Sequence, residues 1–134
     1  MRWLRYFESL KPFTADEAWM LFRLAAIAEA GGWTLLISGI LIKHFLTPGN
    51  NVPVLLAGQV HGLIFLTYLI AAVGLYPSLG WSRPKAFFAV LASVPPYGTL
   101  LFEQWAARVR NKSNLQMYSH YLLYTAAVQQ SSVQ

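Results

Sequence analysis

The sequence predicts an all-α membrane protein with three transmembrane helices and amphipathic segments at both ends. Three observations carry that prediction. Hydrophobic residues make up 56% of the 134-residue chain and charged residues only 11%, against roughly 25% charged in an ordinary soluble domain. The charges gather in Arg2 to Arg23, around Lys43, at Arg83 and Lys85, and from Glu103 to Lys112, leaving long stretches almost free of charge. Those stretches match the ~20 apolar residues that a helix needs to cross hydrocarbon. A transmembrane barrel is excluded, because no run of alternating ten-residue strands is present.

The elements follow in order. Residues 1–17 mix Trp3, Leu4, Tyr6, Phe7 and Leu10 with Arg2, Arg5 and Lys11, which suits a helix lying in the headgroup region. The transmembrane domain occupies 18–107, with spans at about 18–46, 52–76 and 84–107. Thr47-Pro48-Gly49-Asn50-Asn51 stops the first span, and Pro77-Ser78-Leu79-Gly80 stops the second. Pro84 suits the first turn of the third. Trp19, Tyr76, Trp81 and Trp105 fall near span ends, where aromatic side chains mark the bilayer surface. Pro95-Pro96 offers no N–H to the helix ladder, so a kink is expected in the third span. The carbonyls freed near Leu91 and Ala92 need donors, for which Ser93, Tyr97 and His61 are candidates. In the basic, amphipathic tail 108–134, Leu115, Tyr118, Leu122 and Ala126 fall at helical spacing opposite Gln116, His120 and Gln129. From Gln129 onward disorder is expected. A cleavable signal peptide is not, since the first apolar run begins late, is too long and lacks a small-residue cleavage site.

Ten Lys and Arg against five Asp and Glu give a basic balance. Without a basic run or an RNA-binding signature it points to a membrane surface rather than nucleic acid. The absence of cysteine removes disulfides, thiolate metal sites and iron–sulfur ligation. With the N-terminus inside, Arg2, Arg5, Lys11, Arg23, Arg83 and Lys85 are cytoplasmic, while Lys43, Arg108, Arg110 and Lys112 lie opposite. Six against four favours the N-terminus inside, but three crossings specify orientation weakly and dual insertion stays open.

Ionisable groups inside a span cost roughly 2.5–3.5 kcal/mol each, so Glu29 and His61 need a reason. With span centres near Leu35, Ile64 and Val94, Tyr68 and Lys85 share a level with Glu29, and Ser93 and Tyr97 share one with His61. Glu29 and His61 are then about 13 Å apart in height. Glu29 is read either as a carboxylate held by Tyr68, Lys85 or Arg23 that locks the bundle, or as a proton- or cation-binding group. His61 is read either as an interhelical hydrogen bond to Ser93 or Tyr97, or as a haem or metal ligand. No second histidine shares its depth, so a protein-only metal site is not expected. Ala28 with Gly32, and Gly58 with Gly62, form small-xxx-small pairs that permit close helix approach.

Phe22-Arg23, Glu29-Ala30, Lys43-His44-Phe45, Gly58, His61-Gly62, Phe65, Tyr68, Trp81 and Pro96-Tyr97-Gly98-Thr99 together resemble the YdzA-like small bacterial membrane proteins (DUF3817), a domain of unknown function. The resemblance covers Leu21 to Trp105. It implies a three-helix, multi-pass protein of the bacterial cytoplasmic (inner) membrane and brings no catalytic residues. Two departures stand out: Ala30 follows the glutamate where the family commonly has glycine, and Leu41-Ile42-Lys43-His44 lacks the family's proline, which implies a straighter end to the first span.

Three functions remain open. One is a structural or accessory protein that forms a homo-oligomer or joins a larger membrane complex. The second is an oligomeric, proton-coupled transporter or channel using Glu29 and His61. The third is a haem- or quinone-binding redox subunit. An enzyme is not expected, for lack of a nucleophile–base–acid set, a phosphate loop or paired carboxylates at one depth.

Overall fold

The computed structural model describes residues 13–131, and every regular element among them is helical. Helix α1 spans Ala15–Leu41 and widens into a π-helical turn at Ile42–Leu46. Helix α2 spans Val52–Leu75, α3 spans Arg83–Leu91 and α4 spans Gly98–Ser131. Most of the expected N-terminal amphipathic segment, up to residue 12, lies outside the described residues. The chain divides into two units, Met1–Phe102 and Glu103–Gln134.

Local chemistry explains the boundaries. Thr14 opens α1 with a capping box: the Glu17 amide donates to its hydroxyl at 3.3 Å and its own amide donates to Glu17 Oε2 at 2.9 Å. At the far end, the helix winds into the π turn, closed by the Thr47 amide on the Ile42 carbonyl at 2.9 Å. Gly49 takes φ 87° in the turn before α2, and the Asn50 side chain accepts the Val52 amide at 3.0 Å. After α2, Gly80 at φ 66° turns the chain while the Trp81 amide reaches back to the Tyr76 carbonyl at 3.0 Å.

Helices α1 with its π turn and α2 are each long and apolar enough to cross a membrane. They pack antiparallel. Gly39 faces Ala57 and Pro53, Gly32 faces His61, and the Phe22 and Tyr68 rings lie 5.8 Å apart. The buried residues of this pair are mostly small, with Ala18, Ala26, Ala30, Ala57 and Ala72 among them, so the backbones approach closely.

The segment 84–107, expected as a third span with a kink, is not one helix. Its nine-residue first part, α3, ends at Leu91, and turns occupy residues 92–97 before α4 begins. Nine residues reach about 13 Å, less than half of the hydrocarbon thickness. The chain then turns back. Trp81, before α3, packs its ring 4.9 Å from Phe22, and Phe102, in α4, lies 6.1 Å from the same ring and 5.5 Å from Trp81. Between those points the chain climbs to Trp33 and Thr34, where it meets Ser93 and Tyr97. Residues 81–102 are therefore a hairpin whose two limbs meet at the level of Phe22. Its apex reaches about half-way along α1. Pro95-Pro96 is the physical reason, because two consecutive residues without N–H groups end the ladder outright.

In the second unit, α4 continues through Gln129 to Ser131, where the sequence predicts disorder. Residues 111–131 are exposed apart from a half-buried Thr125, and Leu115, Tyr118, Tyr121, Leu122 and Tyr124 all project into the surroundings.

Candidate functional site

The site is the meeting point of α1, α2 and the hairpin apex. Glu29 is fully buried. Its Oε2 accepts the Thr99 hydroxyl at 2.9 Å, while Oε1 has no hydrogen-bond partner. Thr99 is also fully buried and lies 3.2 Å from the Ala26 carbonyl, so its single hydroxyl proton has two acceptors to choose between. The first turn of α4 is thereby tied to the middle of α1.

His61 lies against α1. A Cβ placed on Gly32 would come within 2.7 Å of His61 Nδ1, so glycine is what lets the imidazole approach. The ring stacks obliquely 4.8 Å from Trp33 and 6.4 Å from Phe65. Its Nδ1 is buried without a partner, although the residue as a whole is half-buried. His61 packs against Gly32, which lies three residues, or about 4.5 Å, beyond Glu29 along α1. This corrects the separation of about 13 Å in height deduced from helix arithmetic. The reason is the length of α1: running from Ala15 to Leu46, it has its midpoint near Glu29 rather than near Leu35, and His61 lies near the midpoint of α2.

Tyr68, Ser93 and Tyr97 make hydrogen bonds other than those expected. The buried Tyr68 hydroxyl donates to the Ala89 carbonyl at 2.7 Å, joining α2 to α3. The Lys85 ammonium sits over the Trp81 ring at 4.9 Å. Arg23 is exposed on α1. Ser93 donates to the Val90 carbonyl at 2.6 Å, and its own carbonyl accepts the Trp33 indole N–H at 3.4 Å. The Tyr97 and Thr34 hydroxyls are hydrogen-bonded at 3.0 Å. The donors to the broken ladder are thus Trp33 from α1 and local groups such as the Val94 amide on the Leu91 carbonyl at 3.1 Å. Of the small residues, Gly32 is buried against α2, Ala28 is exposed, Gly58 is 3.9 Å from Leu36 at its nearest, and Gly62 faces open space.

Three participants escaped the sequence reading. Thr99 stands inside the Pro96-Tyr97-Gly98-Thr99 run, and a threonine that deep in an apolar segment is the signal that was available. Trp33 reads as an ordinary apolar residue, and Gly39 lacks a small neighbour at i±4. Among the described residues no three of His, Cys, Asp and Glu gather as a metal-holding group. Separately, an open apolar cleft of about 250 Å³ runs between α2 and α3, lined by Val73, Tyr76, Arg83, Ala86, Phe87 and Val90.

The family model described as "Domain of unknown function (DUF3817)" matches residues 19–108. A protein of Streptomyces coelicolor named "Putative membrane protein" is 35% identical over 88 residues, which are 65% of this chain but 10% of that relative. The chain thus spans about a tenth of the length of the curated relative it matches. No solved structure matches. The matched region holds both span-capable helices, the hairpin, Glu29 and His61, and the chain belongs to the DUF3817 family, whose function is not established.

Proposed function

We propose that the chain is a multi-pass protein of the bacterial inner membrane, with two crossings and a re-entrant helical hairpin, that serves as an accessory subunit of a larger membrane assembly. The observation that carries the accessory role is the helix of residues 111–131. It contains one charged residue, Lys112, and exposes Leu115, Tyr118, Tyr121, Leu122 and Tyr124 along its length. A helix so poor in charge and so rich in exposed aromatic and aliphatic side chains suits a protein or headgroup surface better than water.

The outer faces of α1 and α2 support the membrane assignment. Leu24, Ile27, Leu63 and Ile70 are each at least half exposed, while most of the residues buried between the two helices are alanine or glycine, with Phe22 and Tyr68 among them. Large apolar residues outside and small ones between helices is the pattern that lipid selects. The Streptomyces relative supports the accessory role, because there the matching segment is a tenth of a longer protein named as a membrane protein.

The test is purification from native membranes in mild detergent, read by mass spectrometry. The full chain is expected in an assembly of more than one polypeptide. Replacing Leu115, Tyr118 and Leu122 together with serine is expected to release it. A wild-type chain that emerges as a lone monomer would overturn the proposal.

A further inference from the structure

We propose that Glu29 and His61 form a proton-binding site, with the hairpin apex as the element that responds to its occupancy. The site rests on two buried acceptors. Glu29 Oε1 lies in a fully buried side chain and has no partner, and His61 Nδ1 is equally buried and equally unpartnered. Each is a polar atom that the surrounding structure leaves unsatisfied, and such atoms are rare enough in native interiors to require an explanation.

The donor set selects the ligand. Calcium takes 6–8 oxygens and magnesium a near-octahedral shell, whereas the site offers one carboxylate, one carbonyl and one imidazole. A transition metal wants at least three strong donors, and no such group gathers among the described residues. An organic anion would meet the Glu29 carboxylate. One proton suits one carboxylate and one imidazole.

The groups facing Glu29 from each packed element are few. From α1 comes Trp33, whose indole N–H lies 3.4 Å from the Ser93 carbonyl and also faces the Glu29 carboxylate. From α2 come His61 and Tyr68, the latter with its hydroxyl committed to Ala89. From the hairpin comes Thr99. None is a permanent cation.

His61 is half-buried, and its Nδ1 faces inward. A proton taken up at Glu29 Oε1 leaves a neutral carboxylic acid, and one taken up at His61 Nδ1 leaves an imidazolium. No other bond is made or broken. The ionised carboxylate holds the Thr99 hydroxyl through Oε2. Once protonated it is a weaker acceptor, and the hydroxyl turns to the Ala26 carbonyl at 3.2 Å. Thr99 is two residues from Tyr97, whose φ of 61° is a strained value for an aromatic residue. Proton occupancy is thereby transmitted to the apex backbone.

The experiment is pH-difference infrared spectroscopy of the full chain in nanodiscs of phosphatidylethanolamine and phosphatidylglycerol. A carboxylic-acid carbonyl band is expected that titrates with pH and is missing from Glu29→Gln. In His61→Gln its midpoint should move by about one pH unit or more. Circular dichroism checks that both variants keep their helices. If they do not, nitrogen NMR of His61 in a His44→Gln, His120→Gln background carries the test with Glu29 native. The His61 resonance is then expected to shift at the same pH as the carboxyl band. A Glu29 band that never titrates, a midpoint indifferent to His61, or a His61 resonance that moves independently of the band would each overturn the proposal.

Discussion

Gly39 shows at the scale of one residue why these two helices pack as they do. A Cβ there would lie 2.8 Å from the Ala57 Cβ and 2.9 Å from the Pro53 carbonyl oxygen. Backbone cannot yield as a flexible side chain does, so even alanine forces α1 and α2 apart. Gly62, with nothing within 4 Å, tolerates the same change. Gly39→Ala is expected to cost about 1–3 kcal/mol and Gly62→Ala within about 0.5 kcal/mol, measured by unfolding in mixed micelles. Equal effects would show that α1 and α2 do not approach at Gly39. The sequence marks Gly58 and Gly62 as a packing pair because their spacing is visible in one helix. Which glycines face another helix depends on rotation and register between helices, and neither is written in the spacing. Glu29 and His61 were legible for a different reason: burying an ionisable group is costly wherever it falls, so composition alone singles them out. Their common level was not, because it depends on where α1 begins, and the capping box at Thr14 starts it earlier than its apolar run suggests.

At the scale of elements, the helix ends were legible and the hairpin was not. Turn chemistry is local, so Pro48-Gly49 and Pro77 with Gly80 place the ends of α1 and α2 within a residue or so. Pro95-Pro96 announces a break just as clearly. Whether the chain beyond it continues or returns is decided by distant partners: Trp33 holding the Ser93 carbonyl, Thr34 holding Tyr97, and Phe22 packing on both Trp81 and Phe102. Irregular backbone at such depth persists only where protein covers it or where it lines a water-filled cavity. Gly98 closes the apex, since a Cβ there would overlap the Ala92 carbonyl and lie 2.7 Å from Pro95 Cγ. Gly98→Ala is therefore expected to open the turn and cost about 1–3 kcal/mol. Quenching of Trp33 fluorescence by an aqueous quencher should rise with it. Unchanged stability and quenching would mean that the apex has room for a side chain.

For the whole molecule, the return of the hairpin changes the topology that the charges support. With three crossings, basic residues fall on both sides and orientation is poorly determined. With the proposed two crossings and a hairpin, Arg2, Arg5 and Lys11 precede α1, Arg23 lies in its first part, Arg83 and Lys85 open α3, and Arg108, Arg110 and Lys112 follow the hairpin in sequence, leaving Lys43 apart at the far end of α1. On that proposed topology the positive-inside rule would set both α1 entry and hairpin exit in the cytoplasm. The chain has no cysteine, so single cysteines report sidedness without a background. Asn50→Cys, Ser82→Cys and Lys112→Cys substitute exposed positions between α1 and α2, before α3 and after the hairpin. An impermeant maleimide added outside intact cells is expected to label Asn50→Cys alone, while the other two react only after the membrane is opened. A third complete crossing would place Lys112→Cys outside with Asn50→Cys, so labelling of that one position decides between a span and a hairpin.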